Sequence, residues 1–251
     1  MTIEFRPVAN GIHEVLLQRP ERMNALDTAS KRALGAIWRA ANDDPGAKAL
    51  IVRGAGDRAF CAGSDIKEMQ ATGTMVDTET LMRAIPGVGV ELNKPVIAAM
   101  HGFTVGMGLT LAIHCDFRIA AATGKIGFPE TQHGMLSGVS ALTLPGIVGE
   151  AKALDLMLTA RMLTPQQALD IGLVDQVVPD SWQAALELAD RLVANSAAAM
   201  AQTKHLILLD RRRRIREHAA AIGAARLAVL DSKEFGGVVT HTPGARPARE
   251  N

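Results

Sequence analysis

The chain has no tyrosine, two cysteines and six phenylalanines among its 251 residues, and each scarcity removes a class of chemistry. Without tyrosine there is no phenol to act as a proton donor. Cys61 and Cys115 sit inside apolar runs with no metal-ligand spacing, so they read as buried free thiols rather than a disulfide framework. No apolar stretch approaches the roughly 18 charge-free residues of a membrane span. The first residues, M-T-I-E-F-R, are charged from position 4 and lack the apolar region of a signal peptide. A soluble, cytoplasmic protein is expected, with no membrane partner. An excess of one charge is lacking too: 27 Lys and Arg face 26 Asp and Glu, a formal net charge of +1. A dedicated nucleic-acid binder usually carries a strong basic excess, so no nucleic-acid partner is expected.

What is present is a chain long enough to bury a full core, as one large domain or a domain with an appendage. Short apolar runs at 15–18, 49–52, 94–100, 117–121 and 125–128 read as strands. Asp27 can cap a helix over 28–41, with Leu34, Ile37 and Trp38 on one face. A second helix is expected over 76–92, interrupted by Pro86-Gly87, and a third from Gly106 onward. Strand and helix alternation indicates α/β layering with mixed or parallel pairing. After Pro145 the pattern is helical: 148–158, 165–171 (capped by Thr164, with Pro165 in its first turn), 181–195, 197–216 and 217–231. An α/β core over 1–195 and a helical region over 196–251 are expected. The last sixteen residues, rich in Gly, Pro and Arg, are expected to lie over the surface or to be mobile.

Two stretches carry candidate chemistry. Arg58–Ile66 (R-A-F-C-A-G-S-D-I) and Lys94–Asp116 each run from apolar residues into a glycine-containing turn, where a backbone N–H can point into a cavity. Two such donors can hold the negative charge that develops on a carbonyl oxygen. The bland alternatives are an ordinary capped turn at Gly63-Ser64-Asp65, and glycines at 102, 106 and 108 that serve helix–sheet packing. Glu130, after Phe128-Pro129, is an acid among apolar and glycine residues, suited to proton exchange if burial raises its pKa; it reads equally as a helix N-terminal carboxylate. His133 either orients Glu130, holds a water, or is a surface histidine. Ser64 lacks the G-x-S-x-G elbow of serine hydrolases. Gly102, Gly106 and Gly108 do not form a dinucleotide fingerprint, and Gly124-Lys125 is no phosphate loop. His101, His114 and Cys115 have no metal-binding spacing, so no metal is expected. Asp65 and Asp116 read as structural, through caps or through pairing with Lys67 or Arg118. Arg211–Arg214 and Arg216 make either a solvated or subunit-facing surface or a contact for a phosphate-bearing ligand.

In order along the chain, R-P-E-R-M-N-A-L (19–26), F-C-A-G-S-D-I-K-E-M (60–69), K-P-V-I-A-A-M-H-G-F (94–103), G-M-G-L-T-L-A-I-H-C-D (106–116), F-P-E (128–130) and A-L-D-I-G-L-V-D-Q-V-V (168–178) resemble the enoyl-CoA hydratase/isomerase family over residues 3–235. The resemblance implies the spiral of β-β-α units of the ClpP/crotonase fold, with C-terminal helices that build a homotrimer or a dimer of trimers. It implies an acyl-CoA thioester substrate, with coenzyme A as part of the substrate and no other cofactor. It implies that the N–H groups of Ser64 and Met107 bind the thioester oxygen, and that Cys61, Ala62, Ser64, Asp65, Ile66 and Lys67 lie along the coenzyme. Hydratases of the family use two glutamates. The second falls on Glu130, whereas the first position holds Thr110, which cannot act as a base at neutral pH. Met107 replaces a glycine, and of the P-G-A-G-G stretch only Gly138 matches. A single acid suffices to move a double bond, so enoyl-CoA isomerisation is the expected reaction. Alternatives are hydration by one glutamate and an acyl-CoA-binding scaffold without catalysis.

Overall fold

The computed structural model describes residues 2–235 and 237. The last sixteen residues, with the surface position expected for them, lie outside the described residues apart from Gly237. The chain opens on β1 (Ile3–Ala9) and β2 (Ile12–Leu17), paired antiparallel, followed by a short 3-10 turn at Pro20–Arg22. Helix α1 (Thr28–Asp43) is capped by Asp27, whose carboxylate accepts the Ser30 N–H at 2.7 Å. Then come β3 (Ala49–Gly54), β4 (Ala59–Cys61), α2 (Ile66–Thr72) and α3 (Thr78–Ala84). They are followed by β5 (Val96–Val105), α4 (Met107–His114) and β6 (Phe117–Gly127). The helical part holds α5 (Gly138–Thr143), α6 (Pro145–Val148), α7 (Glu150–Thr159) and α8 (Pro165–Asp170). A last strand, β7 (Gln176–Val178), precedes α9 (Ser181–Val193), α10 (Ala197–Glu217) and α11 (Ala219–Leu230).

The sheet runs β1-β2-β3-β5-β6-β7, with β4 joined to the far half of β5; every pairing after the first is parallel. Parallel strands covered on both faces need apolar side chains on both, which explains the unbroken runs of the sequence. In β3, Ala49 and Ile51 join one core with Ala185 and Ala189 of α9, while Leu50 and Val52 join the other core with Leu34 and Trp38 of α1. The Trp38 indole N–H donates to the Ala84 carbonyl at 2.8 Å, tying α1 to α3.

Several boundaries differ from the sequence expectation. The helix expected over 76–92 stops at Ala84, because Pro86 disfavours helical geometry at Ile85. The strand expected over 94–100 continues to Val105, and the two strands at 117–121 and 125–128 are one. β5 and β6 pair along both halves, and a register irregularity between Met100 and Gly102 lets the sheet bend without ending. β1, β4 and β7 carry too short or too mixed a pattern to have been read. Asp65 caps α2 but pairs with Arg19 at 2.9 Å, not with Lys67. Asp116 pairs with Lys204 at 2.7 Å and accepts the Val96 N–H, not an Arg118 donor; Arg118 pairs with Asp175. The expected cap of α8 is present, with Thr164 and Gln167 forming a reciprocal capping box.

Both C-terminal helices fold back on the α/β core. α10 and α11 pack on α5, and α11 also reaches α3. This return closes one side of the cavity that the strand ends leave open.

Candidate active site

The turn after β4 and the turn after β5 come together at one end of the sheet. Leu26 bridges Ser64 in a parallel arrangement: the Leu26 N–H donates to the Gly63 carbonyl at 2.8 Å, and the Asp65 N–H donates to the Leu26 carbonyl at 3.0 Å. In that pattern the amides on either side of Ser64 are used, and Ser64's own N–H points the other way. Met107 is the first residue of α4, so its N–H has no partner within the helix. A Cβ on Gly63 would lie 3.6 Å from the Met107 nitrogen, so the two turns nearly touch. The positive end of the α4 dipole faces the same point.

Ser64 and Met107 line a cavity of about 150 Å³ with Ala62, Ile66, Gly106, Thr110, Glu130, His133 and Gly138. The glycines of the second stretch divide between the two readings. A Cβ at Gly108 would lie 2.2 Å from the Cys61 carbonyl oxygen, so Gly108 serves close packing of α4 on β4. At Gly106, φ is +55° and a Cβ would lie 3.0 Å from Glu130 Oε1, so this glycine keeps space for the carboxylate. Gly106→Ala is therefore expected to lower turnover at least tenfold and to cost roughly 1–3 kcal/mol of stability through backbone strain. Turnover and thermal unfolding of one preparation check it, and a wild-type rate would show that Glu130 needs no such clearance.

Glu130 opens a 3-10 turn, Glu130–His133, that follows the end of β6. Its Oε1 accepts a hydrogen bond from the Ser137 hydroxyl. Its Oε2 is buried without any hydrogen-bond partner among the described residues. Burial pushes the Glu130 carboxyl above its ordinary range, and the Ser137 hydrogen bond partly opposes that shift by favouring the anion. Glu130 is also the acid in the first turn of that 3-10 element, where a backbone N–H favours its anion, so the helix N-terminal reading holds beside the acid/base one. His133 lines the cavity beside it.

Thr110 is buried one turn into α4, where its hydroxyl reaches the Gly106 carbonyl at 3.1 Å and Ser140 Oγ at 2.7 Å. One turn further, His114 Nδ1 lies 2.7 Å from the Thr110 carbonyl and Nε2 lies 3.1 Å from Thr143 Oγ1. Burial lowers the His114 pKa to about 3, so this ring is neutral and one of its nitrogens donates. Thr110 and His114 thus fasten α4 to α5, the helix that begins at Gly138.

Of the residues expected along the coenzyme, Ala62, Ser64 and Ile66 line the cavity. Cys61, Asp65 and Lys67 do not. Cys61 is fully buried, its thiol pushed up to about 12 by burial, and Asp65 is held by Arg19. The arginines of α10 also stand apart from the cavity: Arg212 donates to the Leu92 carbonyl at 3.1 Å, and Arg213 pairs with Asp210 at 2.8 Å.

A tight pair of main-chain turns beside one buried glutamate can then be set against known proteins. The pattern of the enoyl-CoA hydratase/isomerase family matches residues 8–226. The chain belongs to that family. It is 33% identical over 208 residues to the (E)-benzylidenesuccinyl-CoA hydratase of Thauera aromatica, covering 81% of each chain. It is 34% identical over 245 residues to the carnitinyl-CoA dehydratase of Salmonella arizonae, covering 93% of each. The crystal structure of an enoyl-CoA hydratase/isomerase from Pseudoalteromonas atlantica superposes with a TM-score of 0.85 at 28% identity, over 94% of each chain. The architecture is the crotonase fold, and the protein is an enzyme of this family.

Within the family frame, three polar cavity residues escaped the sequence reading: Ser137, Lys31 and Arg226. Ser137 lies directly before Gly138 and had no periodic signal. Lys31 did have one, since positions 31, 34 and 38 share the buried face of α1. A lysine on an apolar stripe was legible as an anomaly. Arg226 was not, because α11 reaches the cavity only through the return of the C-terminal helices.

Proposed function

We propose that the protein binds an acyl-CoA thioester, stabilises its enolate, and moves the carbon–carbon double bond with Glu130 as the single acid/base. The observation that carries this reading is the Glu130 carboxyl, buried with one oxygen unpartnered, at the mouth of the turns that present Ser64 and Met107. The thioester oxygen accepts both main-chain N–H groups. Glu130 Oε2 removes a proton from the α- or γ-carbon, and the electron pair moves onto the thioester oxygen as an enolate. The same proton returns at the other end of the allylic system, so the double bond shifts and mass is unchanged. Ser137 steadies Oε1 while Oε2 works. Thr110, with its hydroxyl already bonded to Gly106 and Ser140, has no part in proton removal.

A second reading, hydration of a trans-2-enoyl-CoA, is favoured by the Thauera aromatica relative, which is named a hydratase. There Glu130 would both deprotonate the attacking water and serve the α-carbon, with His133 as the neighbour able to hold that water. Mass-resolved product analysis of trans-2-enoyl-CoA and cis-3-enoyl-CoA separates the two. Isomerisation leaves mass unchanged and water addition adds one water. A product heavier by one water from the trans-2 substrate, with the cis-3 substrate untouched, would replace the first reading by the second.

The homotrimer or dimer of trimers belongs to this proposal as well. Leu206 and Ile207 on α10 and Leu227 on α11 are exposed apolar side chains on the helices that would form such contacts.

A further inference from the structure

Two cations face the cavity, and neither proton transfer nor oxyanion binding uses them. Lys31 is 3% exposed, and its side chain lines the cavity wall. Arg226, 7% exposed, reaches the same cavity from α11. Its guanidinium is fixed by bonds to Thr78 Oγ1 at 2.7 Å and to the Val76 carbonyl, which leaves further N–H donors free. Among the described residues no carboxylate pairs with either cation. The acids nearest Lys31 are committed elsewhere. Glu68 accepts the Thr28 N–H at 2.8 Å, and Asp27 accepts Ser30 N–H and faces Arg19.

Two buried cations facing one cavity are costly. An ammonium out of water needs a counter-ion, and among the described residues no carboxylate forms an ion pair with Lys31; Glu68 and Asp27 act on it through their charge alone. Burial lowers the Lys31 pKa to about 8; the charge of Glu68 opposes that shift, Arg226 adds to it, and Asp27 opposes it more weakly. Glu130 is not the missing anion. Its Oε1 accepts from the Ser137 hydroxyl and its Oε2 has no hydrogen-bond partner among the described residues, so neither cation is bonded to it. Much of the remaining wall is apolar, with Ile66, Leu81, Ile85 and Val139 among its residues.

We propose that Lys31 and Arg226 form a pocket for a carboxylate at the far end of the acyl group, so that the enzyme takes short acyl-CoA thioesters of dicarboxylic acids. The proposal rests on the acyl-CoA reading above and specifies its substrate class. A cavity of about 150 Å³ is of the size known to admit benzene, which suits a short acyl group. A methyl-ended chain would bury both cations without relief. A carboxylate supplies the counter-ion and accepts the free donors of both side chains.

Calorimetric titration with glutaryl-CoA, pentanoyl-CoA and free coenzyme A tests this without requiring turnover. Glutaryl-CoA is expected to bind at least tenfold more tightly than pentanoyl-CoA. In Lys31→Met the preference should shrink to within a few-fold, with pentanoyl-CoA and free coenzyme A bound as in the wild type. Arg226→Lys, which keeps the charge, should retain part of it. Equal binding of the two thioesters by the wild type would overturn the proposal. So would a Lys31→Met variant, folded by its thermal transition, that loses all three ligands alike; Lys31 would then be reading the coenzyme. If enoyl-CoA turnover fails while the glutaryl-CoA preference stands, the proton-transfer reading falls and this one survives. If turnover of methyl-ended enoyl-CoA is normal without any preference, only this one falls.

Discussion

Replacing Glu130 by glutamine is expected to lower kcat by about 10²–10⁴-fold, the contribution of one positioned acid/base, while acyl-CoA affinity stays within a few-fold. Glutamine keeps the shape and can still bond Ser137, so the loss isolates proton transfer from packing. Single-turnover kinetics with a cis-3-enoyl-CoA, beside calorimetry with a saturated analogue, measure the two quantities separately. Unchanged turnover would remove Glu130 from the chemistry, and a wild type that binds thioesters without converting any would favour the non-catalytic scaffold. The same carboxyl sets the pH dependence. Burial raises its pKa above the ordinary 4.5, so a reaction that needs the carboxylate rises with pH through a limb lying above that value. Ser137 stabilises the anion, so Ser137→Ala should move the limb upward again.

Lys31→Met is expected to stabilise the free protein by about 3 kcal/mol at pH 7, a direct consequence of the ammonium it removes. The Lys31 pKa falls from 10.5 to about 8 on folding because burial disfavours the charged form. With the folded value below the unfolded one, the penalty is fully present below about 8 and fades as pH rises toward 10.5. Wild-type stability should therefore climb across that window, and the variant should lack this climb. Urea unfolding midpoints at neutral pH and near pH 10 report both. A variant less stable than the wild type at pH 7 would mean that Lys31 is already paired. A stabilised variant that has also lost its glutaryl-CoA preference would mark a residue kept for binding at the expense of stability.

The fold was legible to the extent that burial imposes a local pattern. Apolar runs long enough to be covered on both faces marked β3 and β5, and caps at Asp27 and Thr164 marked helix starts. β1, β4 and β7 were not legible, since edge and three-residue strands are defined by their partners and not by their own residues. Gly106 and Gly108 look alike in the sequence. One clears a carboxylate and the other a backbone carbonyl, and only the placement of Glu130 and Cys61 tells them apart.

The sequence by itself determined the family, the single carboxylate at Glu130 and the threonine at position 110, because these are matters of residue identity in a specific order. The spacing of positions 31, 34 and 38 also carried a lysine onto the buried face of α1, a signal present in the sequence but not read from it. What that lysine meets was decided by tertiary structure alone. Lys31 and Arg226 come from opposite ends of the chain and converge only when α11 folds back over α3 and α5. A pairing between distant segments depends on the path of everything between them, and no local pattern encodes it.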